Sequence, residues 1–281
     1  MAVAWQPPRL RCVSFNLFHG GLSSGLRGVA WELHQRLDLV AAELRRLQVD
    51  IIGLQEASTS KGRGNVAAHL AARLGFYTAY APASCRLFPS RRLQNLVARA
   101  MNFTEGPAIV SRFPFLAVDI QELPRGGRIT EPRVLLAATL RTPWGPLQVG
   151  STHTSGMAVQ HRTIVTYLRS QSHALPLLLM GDFNAVEDSE AMTTLTREAG
   201  FVDAFRVVHP TAAGYTSDQA LTMPTATVTQ RIDYVFIASG TERPGRILSS
   251  QVILDTPHDL PDGRTLWPSD HYGVLADIAL D

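Results

Sequence analysis

The sequence predicts an α/β protein built on mixed β-sheets, two of them, and three observations carry that prediction. Strand-helix-strand units open the chain and recur after residue 175. A block of strand-like stretches with Pro and Gly turns between them fills residues 107–154. The runs VDIIGLQE (49–56) and LPLLLMGD (175–182) are apolar on both faces, as strands covered from two sides are.

In order along the chain, LRCVSFNL (10–17) reads as a strand. Residues 29–48 place Leu33, Leu37, Val40, Leu44 and Leu47 at three-and-four spacing, which predicts a helix. VDIIGLQE follows as a strand, AAHLAARL (67–74) as a second helix, and GFYTAYAP leads out of it. PAIVS (107–111), FLAVDIQEL (115–123), RVLLAATLRT (133–142) and LQVGSTHT (147–154) form the hairpin block. Residues 158–174 read as helix, LPLLLMGD as strand, and SEAMTTLTREAG (189–200) as a helix ending in Gly200. RIDYVFIAS (231–239), SSQVILD (249–255) and YGVLADIAL (272–280) close the chain as strands. No repeat or low-complexity linker interrupts the pattern, so residues 1–281 are expected to form one domain.

Composition excludes more than it identifies. A hydrophobic content of 45% with 18% charged residues is globular, and the net charge of +2 gives little hint of a polyanionic partner either way. Two cysteines, Cys12 and Cys85, are too few for a disulfide framework or a four-cysteine zinc site; Cys12 lies in an apolar run and is expected in the core. MAVAWQPPRLRC has no basic segment followed by an apolar stretch, and no run of about 18 apolar residues occurs, so a soluble, cytoplasmic protein is expected.

The informative polar residues lie where strands end. Asn16 ends the first strand, Gln55-Glu56 the second, and His153 follows LQVGST. Asp182 and Asn184 end the LLLM run, Asp233 sits inside an apolar stretch, and Asp270-His271 precede the last strand. Singly, each has an ordinary reading: Asn and Asp make turns, a glutamate after a strand is solvated, a lone histidine is structural. Together they have metal and acid-base chemistry. Glu, Asp and Asn oxygens suit Mg²⁺ or Mn²⁺, and two histidines can donate or accept protons. Gly181 is expected to let the chain turn after the strand, and Phe183 to point back into the core.

VSFNLFHG (13–20), IIGLQEA (51–57), GPAIVSRFP (106–114), STHT (151–154), MGDFNA (180–185), RIDYVF (231–236) and SDHYGV (269–274) occur in the order seen in one family. The chain resembles the endonuclease/exonuclease/phosphatase superfamily of deoxyribonuclease I-like phosphoesterases, in a bacterial-type form. That resemblance implies a four-layer α-β-β-α sandwich of two mixed β-sheets flanked by helices. It implies a metal-binding Glu56, with Asn16 beside it and Asp270 helping to hold Mg²⁺ (or Mn²⁺). It implies that Asp182 and Asn184 contact the attacking water or phosphate, that His271 meets the phosphate with Asp233 orienting it, and that His153 is the second catalytic histidine. Which histidine is the acid stays open.

The resemblance leaves the substrate open too. Phe18 stands where AP endonucleases carry an acid, and His153 stands where they lack a histidine. TEP in ITEPRVLLA (129–137) is similar to deoxyribonuclease I, a secreted, disulfide-bonded enzyme unlike this chain. NLFHGG is similar to the NIHHG opening of bacterial members, which places His19 near the site. Arg86, Arg91, Arg92 and Arg99 in segment 85–106 can grip phosphate or coat a surface helix, and Arg162 can face phosphate from the helix after STHT. Loop 209–229 is expected near the site, and His258, Asp259 and Trp267 on its rim.

The expected activity is a metal-dependent phosphodiesterase of endonuclease/exonuclease type, using in-line water attack. A phosphomonoesterase, or a sphingomyelinase or inositol-phosphate-type enzyme, is the alternative. An inactive binding module is disfavoured because every matched catalytic position is filled. The expected partner is a phosphodiester, nucleic acid, lipid or small ester, bound by a monomer without stable membrane insertion.

Overall fold

The computed structural model describes residues 9–18, 30–60, 64–83, 104–126, 132–171, 176–221, 223–238 and 245–280. In chain order the elements are β1 (Arg9–Asn16), α1 (Ala30–Arg46), β2 (Ile51–Ser60), β3 (Gly64–Asn65), α2 (Val66–Leu74), β4 (Tyr77–Tyr80) and β5 (Thr104–Ser111). Then come β6 (Phe115–Glu122), β7 (Val134–Thr142), β8 (Gly145–His153), α3 (Ala158–Arg169), β9 (Leu177–Asp182) and α4 (Glu190–Thr193). The chain continues with β10 (Val202–Asp203), α5 (Ala204–Val208), β11 (Asp233–Ala238), β12 (Arg246–Ile253), β13 (His258–Asp259), β14 (Thr265–Leu266) and β15 (Gly273–Ala279).

The large strands form two mixed sheets, ordered β12-β15-β1-β2-β5-β4 and β10-β11-β9-β8-β7-β6. Each has one parallel pair near its middle: β1 with β2, and β8 with β9. Side-chain alternation sorts every central strand between two layers. On β1, Leu10 and Cys12 face the other sheet while Val13 and Phe15 face the helices; on β9, Leu178 and Met180 face inward while Leu177 and Leu179 face outward. Helices α1 and α2 cover one outer face, through Leu33, Leu37, Val40, Leu44 and Leu70. Helix α3 covers the other, through Ile164, Val165 and Leu168. The result is the α-β-β-α sandwich. The sheets approach closely at Gly53, where an added Cβ would come within 2.6 Å of Met180 Cβ.

Two elements depart from the sequence reading. The helix expected at 189–200 is only one turn of α-helix, followed by a wider π-type turn over Thr194–Glu198. Thr193, Thr194 and Thr196 turn their hydroxyls back onto the carbonyls of Ser189, Glu190 and Met192, which competes with regular helix bonding. Helix α3 ends at Arg169 rather than residue 174, and 172–175 lie outside the described residues.

The inward rows change character along their length. On β1 they run Leu10, Cys12, Ser14, Asn16, and on β8 Leu147, Val149, Ser151, His153. On β9 they run Leu178, Met180, Asp182. Each begins in the oily layer between the sheets and ends in a polar group at the same edge of the sandwich.

Candidate active site

Strand register sets the polar groups side by side. His153 pairs with Asp182 across β8 and β9, and Asp182 with Asp233 across β9 and β11. In the other sheet, Asn16 stands beside Gln55. The register of β2 slips between Leu54 and Ala57, a β-bulge that re-aims the next side chain; Glu56 sits in it with φ 53°. Asn184 has φ 47° and Phe18 has φ 49°, so three residues at the site hold left-handed backbone.

Asp182, buried, is the hub. Its Oδ2 accepts from Asn16 Nδ2 at 3.0 Å and lies 3.4 Å from His153 Nε2 and 3.9 Å from His271 Nε2. Its Oδ1 accepts the Asn184 N–H at 2.9 Å. Asn16 Nδ2 also reaches Glu56 Oε1 at 3.3 Å, while its Oδ1 accepts the Phe18 N–H at 3.0 Å. Asn16 thus bridges the two sheets. Asn184 Nδ2 lies 2.9 Å from both His153 Nε2 and Thr154 O. Asp233 Oδ2 takes His271 Nδ1 at 2.9 Å and the Thr216 hydroxyl at 2.6 Å.

Residues 13–271 match the model of the Endonuclease/Exonuclease/phosphatase family. The chain belongs to that family of phosphoester hydrolases. Similar solved structures include a family protein from Bacteroides thetaiotaomicron, 18% identical over 99% of this chain and 97% of that one, with TM-score 0.73. A mannosyl-6-phosphatase from Bacteroides thetaiotaomicron is 17% identical over 96% of this chain and 99% of its own, with TM-score 0.71. The human Nocturnin catalytic domain with bound sulfate is 20% identical over 98% and 94%, with TM-score 0.66. These likenesses establish the fold. No curated protein matches the chain.

Within this family member the electrostatics divide the site. Burial alone would push the His271 imidazole down, but the bonded Asp233 carboxylate, with Asp182 and Asp270 nearby, overrules it and raises the pKa to about 10. Burial raises Asp270 to about 6, and the Glu56 carboxylate adds to the shift. Asp182 is also held above the usual carboxylate range, mainly by burial, with Asp233 reinforcing it against the two histidines.

The structure brings together Asn16, Glu56, His153, Asp182, Asn184, Asp233 and His271, and Asp270 joins them through the Glu56 and His271 charges. His19, Arg92 and segment 84–103 lie outside the described residues. Arg162 is exposed on α3, and its neighbour His161 is buried in the core rather than facing a cleft. Loop 209–229 does reach the site, through Thr216 and a bridge from Ser217 to His271. Trp267 is no rim contact: it is 2% exposed, stacks on Tyr272 and donates to Met223 O at 2.7 Å.

Gly181 also needs correction. It lies inside β9 and is absent from the left-handed positions, so it makes no turn. It supplies space instead: an added Cβ would stand 2.7 Å from Thr152 O and 3.0 Å from the Phe183 ring. Gly181→Ala is expected to destabilise by about 1–3 kcal/mol, the cost of overpacking a filled core, measured by urea unfolding. An unchanged midpoint would show that β8 and β9 separate freely.

Sequence reading missed Thr216, Ser269 and Arg36. The Ser269 hydroxyl donates to Asn16 O at 2.7 Å and ties the Asp270-His271 loop to β1. Arg36 reaches from α1 to the carbonyls of Leu17, Phe18 and Pro268 at 3.1, 2.9 and 3.3 Å, joining the same two segments from below. Arg36 had a signal: it falls on the buried stripe of α1, between Leu33 and Leu37.

Proposed function

We propose that this family member is a metal-dependent phosphoester hydrolase whose preferred substrates are phosphodiesters, cleaved by in-line attack of water. The observation that carries this reading is a division of charge within one cluster. Glu56 and Asp270 are carboxylates close enough for one to raise the pKa of the other, and beside them His271 has its pKa raised to about 10. An oxyanion needs both: a cation site to approach and a proton-bearing group to accept it.

Glu56 and Asp270 offer hard oxygens close enough that one raises the pKa of the other, and that donor set fits a hard divalent cation. Asp182, Asp233 and His271 also bring one ligand atom each within 4.8 Å of one another. Within it Asp233 Oδ2 is already taken by His271 Nδ1 and the Thr216 hydroxyl, which makes that trio the poorer cage. Glu56 and Asp270, with Asn16 bracing Glu56, would hold Mg²⁺ or Mn²⁺, which when bound would supply charge neutralisation at the phosphate. Asp182, its basicity raised by burial, orients the attacking water and takes its proton. Asn184 and His153, bonded to each other, form the wall beside Asp182 against which water and phosphate sit, and His271 Nε2 donates to a phosphate oxygen. Residues 1–281 act as one domain in this reading. Among the described residues no helix is long and apolar enough to cross a membrane.

Phosphomonoesters are the second reading, supported by the mannosyl-6-phosphatase among the structural neighbours. The test is turnover, with Mg²⁺ or Mn²⁺ and with chelator, of plasmid DNA, RNA, bis-p-nitrophenyl phosphate, sphingomyelin, inositol phosphates and mannose 6-phosphate. Cleavage of diesters that stops with chelator supports the proposal; cleavage of monoesters alone transfers it to the second reading; no cleavage sinks both. The same samples report the metal. Its stabilisation of the fold should be small below pH about 6 and grow above it, as Asp270 loses the proton that competes with the cation.

A further inference from the structure

Behind the His153-Asp182-Asn184 face lies a buried polar pair that the proposed chemistry does not use. His161, on α3, is fully buried and meets the Phe183 ring edge-on, with centroids 5.3 Å apart. Its Nδ1 lies 2.7 Å from Ala191 O. A carbonyl oxygen only accepts, so the ring carries its proton on Nδ1. Burial favours the neutral ring, which leaves Nε2 as an acceptor facing Thr154 Oγ1 at 3.2 Å. The same hydroxyl donates its one proton to Phe183 O at 2.6 Å, and the His161 ring packed against Oγ1 keeps it turned that way. The Thr154 N–H donates to Asp182 O at 3.0 Å. Gly156 closes the gap from the other side: a Cβ there would come within 2.4 Å of Asn184 O. Residue 154 is therefore held against the Asp182-Phe183-Asn184 segment by its amide, its hydroxyl and its neighbours.

The consequence falls on Asn184. Its two amide hydrogens have two takers, Thr154 O and His153 Nε2, each 2.9 Å away. Turned over, the amide would set its own oxygen against the Thr154 carbonyl oxygen. Thr154 O thus decides which way the amide faces, and His153 Nε2 is left to accept. A proton on that nitrogen would point instead toward Asp182 Oδ2, 3.4 Å away, and would collide with the Asn184 N–H.

We propose that Thr154 and His161 are positioning residues, which hold the Asn184 amide toward His153 and keep His153 in its Nδ1–H tautomer. Neither touches the reacting atoms. The kinetic part of the test rests on the phosphoesterase reading; the spectroscopic part does not.

The full chain, labelled with ¹⁵N-histidine, would be measured by two-bond ¹H–¹⁵N correlation, with the His153 ring assigned from a His153→Gln variant. The wild type and Thr154→Ser, which keeps the hydroxyl, should both show the Nδ1–H pattern. Thr154→Val and His161→Phe should show mixed tautomers, with kcat lowered about tenfold to a hundredfold and KM changed by less than about twofold. His161→Phe keeps the ring shape against Phe183 and carries the test if Thr154→Val does not fold. A wild-type tautomer pattern in the valine and phenylalanine variants would overturn the proposal, as would a serine variant as impaired as the valine one. If the wild type hydrolyses no phosphoester, the functional reading falls, and the tautomer pattern alone still decides this one.

Discussion

Glu56→Ala is expected to lower metal-dependent kcat/KM by about three orders of magnitude, because in the proposed mechanism the several kcal/mol of charge stabilisation brought by a cation depend on this carboxylate. The side chain ends a cross-sheet chain, Glu56 to Asn16 to Asp182, and it sits in the bulge of β2 with left-handed backbone. A natural chain keeps a non-glycine residue in that conformation at a cost, and aiming the carboxylate is the use to which the cost is put. The measurement is kcat/KM against Mg²⁺ concentration, with calorimetric titration of the metal. Glu56→Gln, which keeps size and polarity, should fall almost as far. Full activity in either variant, or unaltered metal affinity, would remove Glu56 from the mechanism and with it the cation site.

The second large effect concerns pH. His271 holds its proton up to about 10 because Asp233 outweighs burial. In Asp233→Asn the largest raising charge and its bond are gone while burial remains, so the imidazole should fall well below about 10, with only Asp182 and Asp270 left to hold its proton. Turnover in the wild type should therefore persist into alkaline solution until pH approaches about 10, whereas the variant should lose turnover at a lower pH. Stability carries the same signature. A histidine raised in the folded state contributes stability that is fully present below 6.5 and lost as pH rises toward 10. That slope, followed by melting temperature in chelator, should flatten in Asp233→Asn. Equal alkaline limbs in the two proteins would show that the proton on His271 is not what turnover requires.

Much of this arrangement was legible in the sequence because strands are periodic. Once a run such as LLLM is read as a strand, its terminal residues are fixed at one edge of a sheet, and Asp182, His153 and Asn16 fall there together. Glu56 was placed by its motif, but the bulge that aims it was not readable, since a register slip leaves no compositional mark. Thr216 was hidden among the threonines of loop 209–229, where nothing local distinguishes the hydroxyl that meets Asp233. Gly181 and Trp267 were misread for a common reason. Glycine and an aromatic beside prolines suggest a turn and a rim, whereas their roles here depend on neighbours distant in sequence, Thr152 for one and Met223 for the other. His161, like Arg36, lay on a buried helical stripe with Ile164, Val165 and Leu168, and its polarity at that position was the available clue.

The pairing of β1 with β15 has a consequence in time. Arg9 lies opposite Ala279, so the strand that carries Asn16 has β2 on one side and, on the other, a strand from near the other end of the described chain. Pairings so distant in sequence slow folding, because a long loop must close to make them. Asp270 and His271 stand at the entrance to β15, which lies between β1 and β12. The acidic cluster is therefore stitched together from both ends of the described chain, and it is complete only when β15 is in place.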